Sequence, residues 1–182
     1  MIIANHISWL DIHAINSILP LTFIAKSDIK NWPVLGYLIS KGNVLFIERG
    51  KRHHATRIVD ITTRHLKTGD NLCLFPEGTT TDGTTIMPFK GSVVQSAIAA
   101  QSTIWPLAIR YPHPAGGINT ALAYAGETTM AQSMRQLLRQ KRPVVELHFL
   151  TPIVTAELAE HQQNRRDLTL HIQSLITQKL AL

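Results

Sequence analysis

Short apolar runs alternate along this chain with longer stretches in which apolar residues recur every three or four positions. The runs Ile2–Ala4, Leu21–Ala25, Val44–Ile47, Leu72–Phe75, Ile104–Ile109 and Val144–Leu150 have strand length and strand composition. Between them, Ala55, Ile58, Val59, Thr62 and Leu66 fall on one helical face, and Gly69 is placed to end that helix. The pattern predicts a second helix from Met130 to Lys141, closed by Pro143. It predicts a third in the tail, where Leu168, Ile172, Leu175, Ile176 and Leu180 form one stripe. Strands separated by helices imply an α/β layer structure around a sheet that is at least partly parallel. In such sheets, sites lie where strands end and helices begin.

Length and composition narrow the reading. At 182 residues, 45% of them hydrophobic, the chain suits one domain with a full core. A net charge of +6 and a pI near 9.8 favour anionic partners: nucleic acid, acidic lipid headgroups or a phosphorylated substrate. Nucleic acid fits poorly, because aromatics are only 6% and the basic residues are spread over several segments without a recognisable motif. The single cysteine, Cys73, excludes an internal disulfide and reads as a small buried apolar residue. No apolar run approaches the roughly 18 residues that span a bilayer. Met1–Ala4 reads as a strand with no element before it: either it opens the domain, or further sequence lies upstream.

The candidate chemistry sits at the strand ends. In Asn5-His6-Ile7-Ser8-Trp9-Leu10-Asp11, a histidine and a carboxylate stand five residues apart. That is not a same-face helical spacing. The two meet only if His6 lies on the turn leaving the first strand and Asp11 on the first turn of the next helix, with Ser8 as N-cap. Asp11 then fixes the imidazole tautomer, and His6 serves as a base near neutral pH. The competing reading is structural: Ser8-Trp9-Leu10-Asp11 resembles a capping box.

In Phe75-Pro76-Glu77-Gly78-Thr79, Pro76 stops a strand, Gly78 permits unusual backbone angles, and Glu77 is a carboxylate at the sheet end. Glu77 reads either as a turn cap or as an acceptor that orients substrate hydroxyls. No second carboxylate or histidine stands around it at metal-ligand spacing. Arg49 follows another strand and suits a phosphate through its planar fork; Lys51 and Arg52 read as a solvated helix start. Lys90, in Pro88-Phe89-Lys90-Gly91-Ser92, opens a helix where a cation and free N–H groups could hold an anion. Ile104-Trp105-Pro106-Leu107-Ala108 is an apolar strand broken by proline.

In this order the blocks resemble the glycerolipid acyltransferase family, of the 1-acyl-sn-glycerol-3-phosphate acyltransferase type. The resemblance covers roughly residues 1–110. It implies a mixed, largely parallel sheet flanked by helices, glycerol-phosphate acyltransferase-like, over a single acyltransferase domain of residues 1–182 preceded in the family by an N-terminal hydrophobic segment. It implies that His6 and Asp11 are catalytic. Arg49, Glu77, Gly78, Thr79, Lys90 and Pro106 would then form the acceptor site. Thr80 and Thr81 stand where the family commonly has Arg then Ser, which removes a cation from the phosphate side and makes Lys90 its candidate replacement.

The expected reaction is direct acyl transfer from acyl-CoA or acyl-acyl carrier protein to a lysophospholipid hydroxyl, most simply 1-acyl-sn-glycerol-3-phosphate giving phosphatidic acid. It needs no further cofactor and no metal. No Gly-x-Ser-x-Gly elbow is present to form an acyl-enzyme. The implied location is the cytoplasmic side of the inner membrane, peripheral or anchored by a segment absent from this chain. The alternatives are acylation of lyso-ornithine lipid and non-catalytic binding to a lipid or membrane surface.

Overall fold

A computed structural model of the chain describes residues 1–26, 44–47, 54–158 and 164–182. All six apolar runs form strands: Ile2–Ala4 (β1), Thr22–Lys26 (β2), Val44–Ile47 (β3), Leu72–Leu74 (β4), Trp105–Arg110 (β5) and Glu146–Phe149 (β6). The helices are Leu10–Asn16 (α1), His54–Lys67 (α2), Gly91–Ala100 (α3), Met130–Arg139 (α4), Thr155–Leu158 (α5) and Arg165–Leu180 (α6). The strands pair in the order β3-β2-β4-β1-β5-β6. Every pairing is parallel except β5 with β6. The expected mixed, largely parallel sheet is therefore present.

Alternation along the strands sends side chains to two apolar layers. On one face, Ile3, Leu72, Leu74 and Ala108 pack with Val94 and Ala97 of α3 and with Leu168, Ile172 and Ile176 of α6. On the other, Ile2, Ala4, Cys73, Leu107 and Ile109 pack with Ile15 of α1 and with Leu122. Each fully buried Ile or Leu contributes about 1.5–3 kcal/mol. All of β1 is buried, so the strand that carries the first motif is held from both sides.

Helix ends follow local chemistry. Gly69 ends α2 at φ +89°, with Asp70 N–H donating to His65 O and Gly69 N–H to Leu66 O, the Schellman pattern. Thr129 and Gln132 form a capping box at the start of α4. That helix stops at Arg139 rather than Lys141: Gln140 is already extended at φ −74° and ψ 133°, and Arg142, before Pro143, sits at φ +58°. Asn164 caps α6 by accepting from Arg166 and Asp167 N–H.

Pro106 does not break its strand. It lies inside β5, opposite Ile3 of β1, and its carbonyl accepts Leu150 N–H at 2.9 Å. Its missing donor faces β6, and there the pairing slips. Ile104 and Ile153 exchange two backbone hydrogen bonds of 2.8 Å, which leaves one extra residue between Leu150 and Ile153. A bulge thus absorbs the proline at the edge where it costs least.

Candidate active site

β1 and β4 are neighbours and run parallel, so their carboxyl ends open on the same rim. His6 lies two residues past the end of β1, and Glu77 three past the end of β4. Phe75 leaves the ladder one residue earlier than its apolar character predicts. Its ring stacks on the His6 imidazole, centroids 3.9 Å apart and 12° from parallel.

His6 Nδ1 donates to Asp11 Oδ2 at 2.8 Å, and the Asp11 side chain is fully buried. The same oxygen accepts the backbone N–H groups of Ile7 at 2.8 Å and Ser8 at 3.0 Å. Asp11 Oδ1 accepts the Tyr111 hydroxyl at 2.6 Å. The carboxylate thus ties the entrance of α1 and orients the imidazole at once, which keeps half of the capping-box pattern. Ser8 is not the side-chain N-cap that the spacing suggested. Its hydroxyl is buried without a partner among the described residues, α1 begins after Trp9, and Asp11 reaches back to the Ser8 N–H instead. His6 Nε2 makes no hydrogen bond to any described residue, and the side chain is 18% exposed. The ring therefore has one held nitrogen and one that no described residue engages.

Glu77 is 4% exposed. Oε1 accepts His6 N–H at 2.7 Å and Oε2 accepts Met87 N–H at 2.8 Å. Burial pushes its carboxyl above the ordinary glutamate range, against those two bonds and the attraction of His6. Both oxygens thus hold backbone, fastening the 78–87 loop to the histidine. Gly78 has φ +71°, and a Cβ there would collide with Lys90 Nζ. Lys90 is therefore brought over Gly78 at the start of α3, and its own N–H donates to Pro76 O at 3.0 Å. Thr79 is exposed beside them. Thr80 donates its hydroxyl to Tyr124 O, and Thr81 N–H donates to His6 O at 2.9 Å.

Pro106 lies buried in the sheet, level with Ile3 and below the rim. Arg49, Lys51 and Arg52 lie outside the described residues. Cys73 is fully buried, and burial, followed by the Asp11 charge, pushes its thiol far up. No group of three or more His, Cys, Asp or Glu side chains that could hold a metal ion occurs among the described residues. Among them, too, no helix is long and apolar enough to cross a membrane.

Two contributors escaped the sequence reading. Asn5 accepts Ile109 N–H at 2.8 Å and donates to Ile109 O at 3.0 Å, fastening the end of β1 to β5. Tyr111, just past β5, reaches Asp11 from there. The two contacts span 104 and 100 residues of chain, beyond what local pattern carries. The adjacency of Asn5 to His6 was the one available signal.

Comparison with known proteins gives the family and the fold. A family model described as Acyltransferase matches residues 1–110. A lyso-ornithine lipid O-acyltransferase from Pseudomonas aeruginosa is 36% identical over 175 residues, covering 92% of this chain and 66% of the relative. A 1-acyl-sn-glycerol-3-phosphate acyltransferase from Neisseria gonorrhoeae is 33% identical over 157 residues, covering 86% and 61%. The chain thus spans 61–66% of the length of these two relatives. The crystal structure of a 1-acyl-sn-glycerophosphate (LPA) acyltransferase, PlsC, from Thermotoga maritima matches with a TM-score of 0.66 at 19% identity, over 99% of this chain and 64% of that one. At that identity the likeness concerns the fold. With the family model matching more than half of its length and the fold shared along nearly all of it, this chain belongs to the acyltransferase family.

Proposed function

We propose that this chain transfers a fatty acyl group from a thioester to the free hydroxyl of a lysophospholipid, with 1-acyl-sn-glycerol-3-phosphate as acceptor and phosphatidic acid as product. The observation that carries this reading is the His6 Nδ1–Asp11 Oδ2 bond of 2.8 Å, with Nε2 unengaged by any described residue. Nε2 takes the proton of the acceptor hydroxyl as its oxygen attacks the thioester carbonyl. The C–S bond breaks, and the thiolate recovers the proton from His6. Asp11 stabilises the imidazolium between the two steps. General-base assistance of this kind contributes roughly 10²–10⁴-fold. The donor is acyl-CoA or acyl-acyl carrier protein, and no further cofactor takes part. Lys90 and Arg49 are the cations we assign to the acceptor's phosphate, with Glu77, Gly78, Thr79 and Pro106 shaping the site around it. The chain works at the cytoplasmic face of the inner membrane, where its net charge of +6 favours anionic lipid.

A second acceptor, lyso-ornithine lipid, is favoured by Thr80 and Thr81, whose polar groups are engaged with Tyr124 O and His6 O and leave no cation in that loop. The Pseudomonas relative named for that activity supports the same reading.

The test is transfer of a labelled acyl group from each donor to lysophosphatidic acid and to lyso-ornithine lipid, with His6→Ala as control. His6-dependent phosphatidic acid is the expected product. Preference for lyso-ornithine lipid would select the second acceptor. Vesicle binding by folded protein without transfer to either would make the chain a lipid-surface binder instead.

A further inference from the structure

The hydroxyl of Tyr111 has a task that filling the core does not require. Tyr111 is fully buried, as is Asp11, and their oxygens lie 2.6 Å apart. Asp11 Oδ2 already serves three donors, His6 Nδ1 and the N–H groups of Ile7 and Ser8. Its plane is then set by what holds Oδ1, and among the described residues that is Tyr111 alone. The tyrosine stands on separate support. It follows β5, whose end is locked to β1 by both Asn5 bonds to Ile109, and its own carbonyl accepts Asn119 N–H at 2.7 Å. Burial and the Asp11 charge keep the phenol protonated, so it remains a donor.

We infer that Tyr111 is a positioning residue for the reaction proposed above: from the end of β5 its hydroxyl fixes the Asp11 carboxylate, so that Oδ2 holds the imidazole in line for proton transfer. The inference rests on that reading for its kinetic consequence, and on geometry alone for its structural one. A hydrogen bond to a charged, buried acceptor is short and directional. Losing it leaves Oδ1 unsatisfied and lets the carboxylate tilt away from the ring.

Tyr111→Phe removes the hydroxyl and keeps the ring. We expect kcat to fall about tenfold, with KM for the acceptor changed by less than about twofold, the pattern of an interaction that matters in the transition state. In proton NMR, the Nδ1–H of His6 gives a sharp downfield line in the wild type and an exchange-broadened one in Y111F. Wild-type kcat together with an unchanged line would overturn the inference and leave Tyr111 as packing. If the wild type transfers no acyl group, the proposed reaction fails, while the NMR comparison still decides the positioning role. Should Y111F not fold, fluorinated tyrosines introduced at position 111 alone retain ring and hydroxyl and vary donor strength. The His6 line then moves progressively with fluorination if the inference holds, and stays fixed if it does not.

Discussion

The backbone N–H of His6 donates to Glu77 Oε1 at 2.7 Å, so the carboxylate of one motif holds the main chain of the other. Glu77→Gln keeps one acceptor oxygen and turns an NH2 group toward either His6 N–H or Met87 N–H. We expect a loss of about 1–3 kcal/mol in stability. Transfer should fall roughly 10–100-fold as His6 is displaced. The variant also has a pH signature. Because the folded-state value of Glu77 is raised, the folded protein keeps a proton that the unfolded chain releases above its ordinary 4.5. The stability that this group contributes therefore falls as pH rises through that window. Glutamine cannot titrate, so the melting-temperature gap between wild type and E77Q narrows from pH 4.5 toward neutrality. A gap that widens would reverse the sign of the argument.

Asn5→Ala removes both bonds to Ile109 and leaves a buried N–H and C=O of β5 unpaired. The expected cost is about 2–4 kcal/mol, measured by denaturant unfolding. Transfer should fall as well, because the clamp sets the spacing between His6 and Tyr111. A fully active N5A of wild-type stability would remove Asn5 from the site.

Gly69 and Gly78 make a matched pair. Both have positive φ, +89° and +71°, but a Cβ at Gly69 meets nothing within 4 Å while one at Gly78 meets the Lys90 ammonium. Alanine at either position costs about 1–2 kcal/mol of backbone strain. Only G78A should also displace Lys90 and depress transfer to an anionic acceptor. Comparing thermal melts with turnover for the two variants separates strain from the loss of the cation.

Phe75→Leu removes the ring stacked 3.9 Å from His6. Leucine keeps most of the apolar contact, so stability should fall by about 1 kcal/mol. Turnover should fall more than that stability change explains, since the imidazole loses the surface that sets its tilt. Equal activity of wild type and F75L would reduce Phe75 to a filler.

Much of this was legible in the sequence, and the boundary has a physical cause. Strand composition located β1 through β6, and Gly69 announced its helix end, because both depend on near neighbours in the chain. The His6–Asp11 contact was legible for the same reason: five residues can close one turn. Tyr111 and Asn5 were not, since their partners depend on which strands lie side by side, and periodicity gives a strand's face without naming its neighbour. Glu77 shows a subtler limit. Its place on the rim followed from the strand and Pro76, but residue type could not tell that both oxygens would hold backbone. Ser8 shows the converse, where a local motif was outweighed by Asp11 reaching back across it. Pro106 was read as a break because the bulge that accommodates it lies on another strand.

The peptide units of His6 and Ile7 are gripped by three separate stretches of chain. Glu77 takes the His6 N–H, Thr81 donates to its carbonyl, Asp11 takes the Ile7 N–H, and Tyr124 donates to the Ile7 carbonyl. The loop after β4, the first turn of α1 and the segment at Tyr124 hold these units jointly, so no small fluctuation of one stretch frees the histidine alone. The amides of His6, Ile7, Thr81, Met87 and Tyr124 consequently exchange with solvent through one shared opening rather than independently. Such an arrangement makes the rim one cooperative unit, whose parts open together.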